Sequence, residues 1–175
     1  IYLFDWRLID ESLYDNLKNV VIVRQNRILK YNLKFASFIV SYISVKKIAN
    51  NISPDLIHSH YASSYGILGA KVKKPKLITS VWGTDITDFP NKSFFHKKIV
   101  KNVLTKSDYI FATSNFLSKE IKNVCGKSSK VTPFGVENNL DLYQKTEDDT
   151  FVFGTAKNLT KQSGIDVTLK FFHDL

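Results

Sequence analysis

"SPDLIHSHYASSYGILGAKVKKPKLITSVWGTDI", residues 53–86, decides how this chain folds. Its first piece, "SPDLIHSH" (53–60), is a proline-led strand, and "PKLITSV" (75–81) is a second. Between them "SSYGILGAKVKK" (63–74) reads as a helix, with serine to cap its start and lysines to suit the negative end of its dipole. The second strand runs straight into Trp82, Gly83, Thr84 and Asp85, with Pro90 close behind. That cluster is either a plain turn or the lip of a binding cleft.

The alternation extends in both directions. "NVVIV" (19–23) is a β-branched strand, and residues 34–49, apolar nearly all round, predict a largely buried helix. "SFFHKKIVKNVLTKS" (93–107) predicts a helix with Phe95, Ile99 and Val103 on one face, Val100 and Leu104 beside it, and Lys97, Lys98 and Lys101 on or near the other. "DYIFATS" (108–114), "NFLSKEIKNVC" (115–125) and "SKVTPFGV" (129–136) follow as strand, helix and strand. Strict alternation implies an α/β fold, a parallel sheet with helices on both faces. Such sheets bind ligands beyond the carboxyl ends of their strands. After Val136 the texture changes. Residues 1–136 form the first domain, the polar "ENNLDLYQKTEDDT" (137–150) is a linker, and 151–175 begin a second domain with a strand, "FVFGTA", and a helix from 161.

Composition sets limits on function. At 175 residues, 43% apolar and 23% charged, the chain has enough apolar residues for a core and too few charges for long disorder. The longest apolar stretch, 35–45, falls short of the ~20 residues of a membrane span. A net charge of +9 suggests an anionic partner (nucleic acid, a phosphorylated ligand or an acidic membrane face) or a lysine-rich solvated surface. The single cysteine, Cys125, forms no internal disulfide and fits a reducing, cytoplasmic compartment. The chain opens on "IYLF" and contains no methionine, so a piece of a longer protein, truncated at both ends, is expected.

Each strand end offers candidates. His58 and His60 share a strand face. As a metal pair they lack a Cys, Asp or Glu to complete the shell. His60, nearer the end, suits a hydrogen bond to a ligand or a neighbouring loop, and His58 suits a satisfied core histidine. Gly83 permits a tight turn or close backbone approach. Asp85 either accepts from sugar hydroxyls or acts as a base, or it caps its own backbone in an Asx turn. Trp82 is a hydrophobic plug or a stacking platform for a sugar ring. Ser114 and Asn115 are placed to cap the next helix, and Pro133 and Gly135 punctuate a turn. Lys157 and Lys161, four apart before a helix, form a phosphate trap that follows neither the Walker A nor the dinucleotide glycine pattern.

In order, "PDLIHSHYAS", "LITSVWGTDI", "KSDYIFATSNF", "VTPFGVEN" and "FVFGTAKNLTKQSGID" resemble the GT-B glycosyltransferases of family 4, the retaining, glycogen-synthase-like type, over residues 53–168. The resemblance implies two Rossmann-like domains with a cleft between them. It implies transfer of a sugar, without metal or other cofactor, from a nucleotide-diphosphate donor to a hydroxyl on a polysaccharide, lipopolysaccharide or lipid-linked glycan. Gly83, Thr84 and Asp85 match the family's cleft turn, with Trp82 where histidine is common, which leaves Asp85 as the catalytic candidate. His60, Trp82, Gly83, Thr84, Ser114 and Gly135 become acceptor-side candidates. Phe134-Gly135-Val136 stands for the family's Asn-Gly-Val. Lys157 replaces the arginine of the donor-diphosphate segment and Lys161 matches its lysine. The family's first glycine-rich loop and its pair of donor-binding glutamates have no counterpart in these residues, so the 175 residues alone are expected to be inactive.

Two alternatives stand beside this reading. One is a GT-B relative that transfers no sugar, such as a sugar-nucleotide epimerase. The other is a basic α/β binding module without catalysis. Aromatic residues set inside apolar runs rather than between lysines argue against nucleic acid as partner. The basic helix at 93–106 either rests on anionic lipid at the inner face of a membrane or is simply solvated.

Overall fold

The computed structural model describes residues 1–4, 11–14, 16–23, 34–73, 75–136, 152, 154–160 and 163–174. The chain divides into two compact units, Ile1–Gly135 and Val136–Leu175.

In the first unit β1 (Tyr2–Phe4) pairs in parallel with β2 (Val21–Val23). After α1 (Lys34–Ile52) comes a four-stranded parallel sheet: β3 (Leu56–His60), β4 (Lys76–Val81), β5 (Tyr109–Ala112) and β6 (Lys130–Val131). Its spatial order, β3-β4-β5-β6, follows the chain. Right-handed crossovers in such an order stack their helices on one face. Those helical pieces are a π turn at Tyr61–Tyr65 running into α2 (Gly66–Gly69), α3 (Thr84–Thr87), a 3-10 turn at Pro90–Lys92, α4 (Phe94–Lys106) and α5 (Asn115–Cys125). Strand residues alternate to match. Ser59, Leu77, Thr79, Val81, Ile110 and Ala112 are buried, while Leu56 and Tyr109 on the other face are exposed. This is the α/β, Rossmann-like architecture of parallel strands and flanking helices that the alternation predicts, although the described helices of this sheet share one face where both were expected to be covered.

The core lies between sheet and helices. Val81, Ile110 and Ala112 meet Ala62, Ile86, Val100, Leu104, Leu117 and Ile121. Small residues set the spacing. A Cβ on Gly69 would stand 2.2 Å from Ser59 Oγ and 2.9 Å from Leu77 Cδ1, so only glycine lets α2 lie this close to β3 and β4. The buried hydroxyls are paired: Thr79 Oγ1 lies 2.8 Å from Ser107 Oγ, and Ser107 Oγ donates to the Val103 carbonyl at 2.9 Å. With the Ser107 proton committed, Thr79 is the donor between them.

Several expectations need correction. The helix expected over 63–74 covers Tyr61–Gly69 instead, has no side-chain cap at its start and stops before its lysines, because Gly69 wedges it against the sheet. Helix α4 turns Val100, Val103 and Leu104 inward, whereas Phe95 and Ile99, expected on the inner face, are exposed. Helix α1 buries its small residues Ser41 and Ala49 and exposes Ile39 and Ile43, so it is not largely buried. The last strand of the sheet is only Lys130–Val131. In the second unit, Val152 and Gly154–Ala156, expected on a strand, lie in no regular element. A helix, α6 (Ile165–His173), follows Gly164. The expected linker, 137–150, and Lys161 lie outside the described residues.

Candidate functional site at the carboxyl end of the sheet

Beyond the last residues of β3 and β4 the chain is held in unusual conformations. Tyr61 has φ 77° and Gly83 has φ 146°. Glycine alone adopts the second without strain, and a tyrosine in the first persists only where its surroundings force it. Asp85 supplies the force. Its Oδ2 accepts the Ala62 N–H at 2.7 Å, and its Oδ1 accepts those of Trp82 (3.1 Å) and Gly83 (2.9 Å). One carboxylate therefore ties the loop after β3 to the loop after β4.

This geometry decides between the readings of "WGTD". Asp85 is 1% exposed, and both its oxygens are engaged by backbone donors. It is a clamp built into the fold, the backbone-capping role that the sequence offered beside its reading of Asp85 as the catalytic candidate. The bonds to Trp82 and Gly83 are the local turn that the sequence allows. The bond to Ala62 spans 23 residues and is not local.

What the clamp presents to solvent is aromatic. The Trp82 ring meets His60 edge-on at 5.3 Å between centroids, Tyr61 at 5.5 Å and Phe134 edge-on at 5.1 Å. Trp82 remains 40% exposed and Phe134 64%. Trp82 follows β4 and Phe134 follows β6, so their contact bridges the end of β5. The short residues there, Ala112, Thr113 and Ser114, leave the space. His58 is not a core histidine. It is exposed, stacks on His60 at 4.3 Å and places Nε2 2.8 Å from Ser80 Oγ. Partial desolvation of the ring atoms, in side chains that remain largely exposed, holds the pKa of both imidazoles below the ordinary value, and the neighbouring His60 adds to this at His58.

The structure thus brings His60, Trp82, Gly83 and Asp85 together, with Thr84 exposed on the first turn of α3. Ser114 accepts the Leu117 N–H at 3.2 Å and caps α5. Gly135 is exposed just past Phe134. Lys157 is an exposed residue of the second unit. Among the described residues no group of three or more His, Cys, Asp or Glu side chains is placed to hold a metal ion. Tyr61 and Phe134 were not among the candidates. The available signal was an aromatic side chain just past each of β3, β4 and β6.

A glycosyl transferase 4-like family model matches residues 9–114, which carry all but the last strand of this end of the sheet. The chain belongs to that family. It is 29% identical over 118 residues to a Bacillus subtilis protein provisionally named as the teichuronic acid biosynthesis glycosyltransferase TuaC, covering 66% of this chain and 28% of that protein. It is 26% identical over 163 residues to an uncharacterised glycosyltransferase of Methanocaldococcus jannaschii, covering 90% of this chain and 44% of that protein. The chain therefore spans less than half the length of these relatives.

Proposed function

We propose that this chain is the acceptor-side part of a hexosyltransferase. The reaction is transfer of a sugar from a nucleotide-diphosphate donor to a hydroxyl of a cell-envelope glycan, free or lipid-linked, on the cytoplasmic side of a membrane. Family membership supports glycosyl transfer. The observation that carries the acceptor-side reading is the half-exposed Trp82, its ring flanked by His60, Tyr61 and Phe134 and its backbone N–H held by Asp85. A sugar ring has an apolar C–H face that packs on an indole, and hydroxyls at its rim. With its pKa lowered, the His60 imidazole is neutral at pH 7, with one nitrogen to donate and one to accept from such a hydroxyl.

In this reading Asp85 is a positioning residue that fixes the Trp82 backbone. Lys157, together with Lys161, offsets the negative charge that develops on the leaving diphosphate. Loss of a platform shows first in acceptor binding. Trp82→Ala is expected to raise KM for the acceptor about tenfold, the worth of one aromatic contact, and Trp82→Phe to recover most of it. Because these 175 residues alone are expected to be inactive, the assay uses a longer chain that also carries the donor-binding domain, and follows nucleoside diphosphate release from a panel of UDP- and GDP-sugars. Unchanged kinetics in Trp82→Ala would remove the platform from the mechanism.

A further inference from the structure

A second exposed aromatic group lies away from the Trp82 cluster. Phe94 and Phe95, in the first turn of α4, are 75% and 74% exposed and meet each other edge-on, with centroids 6.1 Å apart. A pair of phenylalanines left in water needs an explanation, because scattered single apolar residues are ordinary and adjacent large ones are not. Their surroundings are cationic. From 89 to 107 the sequence holds five lysines and no aspartate or glutamate. Helical spacing places Lys98 and Lys101 on the same outward arc as the two rings, opposite the buried Val100, Val103 and Leu104.

The next helix repeats the pattern. α5 packs beside α4, buries Leu117 and Ile121, and exposes Phe116 and Lys119 one helical turn apart. Glu120, the one acidic residue of α5, accepts from Asn123 further along the helix. Both helices begin at the carboxyl end of a parallel sheet, since each leads back to the amino end of the next strand. The exposed rings of their first turns therefore sit at the same end of the unit as the Trp82 cluster.

We propose that the first turns of α4 and α5 dock on an anionic lipid bilayer, Phe94, Phe95 and Phe116 entering the interface and Lys98, Lys101 and Lys119 lying among the headgroups. Aromatic side chains favour this boundary, and lysines beside them are attracted by acidic headgroups. Among the described residues no helix is long and apolar enough to span a membrane, so the contact is peripheral. It turns the carboxyl end of the sheet toward the surface where a lipid-linked acceptor resides. The docking rests on α4 and α5 and not on the proposed chemistry, so an inactive chain still binds.

The test is sedimentation of the full chain with vesicles of phosphatidylcholine, alone and mixed with phosphatidylglycerol. Binding is expected only to the mixed vesicles. Lys98→Gln with Lys101→Gln should weaken it on the order of 25-fold, about fivefold for each lysine. Phe94→Ser with Phe95→Ser should also weaken it, without lowering the melting temperature, because both side chains are already in water. Equal binding to neutral vesicles, no binding to either kind, or full binding by the phenylalanine variant overturns the proposal. So does self-association without lipid that the phenylalanine substitutions abolish, which would make a second copy of the chain the occupant. If the phenylalanine variant fails to fold, the lysine variant alone decides, and its undiminished binding overturns the proposal.

Discussion

Strand β4 has an aspartate at each end, and the two do different work. At the amino end Asp108 is exposed. It accepts the Leu77 N–H through Oδ2 at 2.8 Å and returns its own N–H to the Leu77 carbonyl at 2.8 Å, a tie between two neighbouring strands. At the carboxyl end Asp85 is sealed in and holds donors from two loops at once. One end of the sheet is stitched, and the other is over-determined. Tyr61 and Gly83, both at positive φ, are the residues beside the clamp, and of these the tyrosine is the strained one; Ser53 (φ 46°) is another non-glycine residue at positive φ, before β3 at the opposite end. In the proposed function the clamp favours acceptor binding, because a loop ordered only on binding gives up affinity to the cost of ordering it.

The sharpest way to break the contrast is to remove each carboxylate. Asp85→Ala strands three backbone N–H groups, one of them fully buried, and is expected to cost about 3 kcal/mol or more in chemical denaturation. Asp85→Asn keeps the shape but offers one acceptor oxygen in place of two, and should fall between Ala and the parent. Equal stability of all three would mean that the loops hold themselves. Asp108→Ala takes the acceptor from a single part-buried N–H at the amino end of β4, so its expected cost is about 1 kcal/mol. A loss as large as that of Asp85→Ala would erase the distinction between the two ends.

The smallest effect is a pH slope confined to the carboxyl end. His58 and His60 both have pKa values below 6.5 in the fold, chiefly through partial desolvation. As pH falls through 6.5 the unfolded chain takes up protons that the folded chain refuses, so stability declines until the lowered folded values are reached. The denaturation midpoint should therefore drop between about pH 7 and 5, and drop less steeply in His60→Gln. An identical slope in that variant would place the titration elsewhere.

The sequence made the frame legible because the frame is local. The α5 segment, "NFLSKEIKNVC", is a helix over the residues its pattern marks, since Leu117 and Ile121 repeat at helical spacing between a serine cap and a terminal Gly126. Strand β4 was legible for the same reason. The site was legible only in part. That Asp85 would turn back onto Trp82 and Gly83 follows from a two- or three-residue spacing. Its bond to Ala62 has no local signature, because it depends on two strand ends brought together by the sheet. The outward rotation of Phe95 and Ile99 is of the same kind. Every apolar residue of α4 scores alike in a periodic pattern, and only the adjoining Ala62, Ile86 and Ile121 decide which of them are covered.

The order of the sheet also bears on how the protein is made. With β3, β4, β5 and β6 adjacent in space in the order of synthesis, each strand leaves the ribosome with its pairing partner already in place. No strand waits for a later one to separate it from its neighbour. Assembly of residues 56–131 therefore adds one strand at a time, each across a crossover connection, with none inserted later between two strands already paired. The clamp fits this timetable. Ala62 is synthesised before Asp85, so the carboxylate arrives last and locks a pair of strands that has already formed.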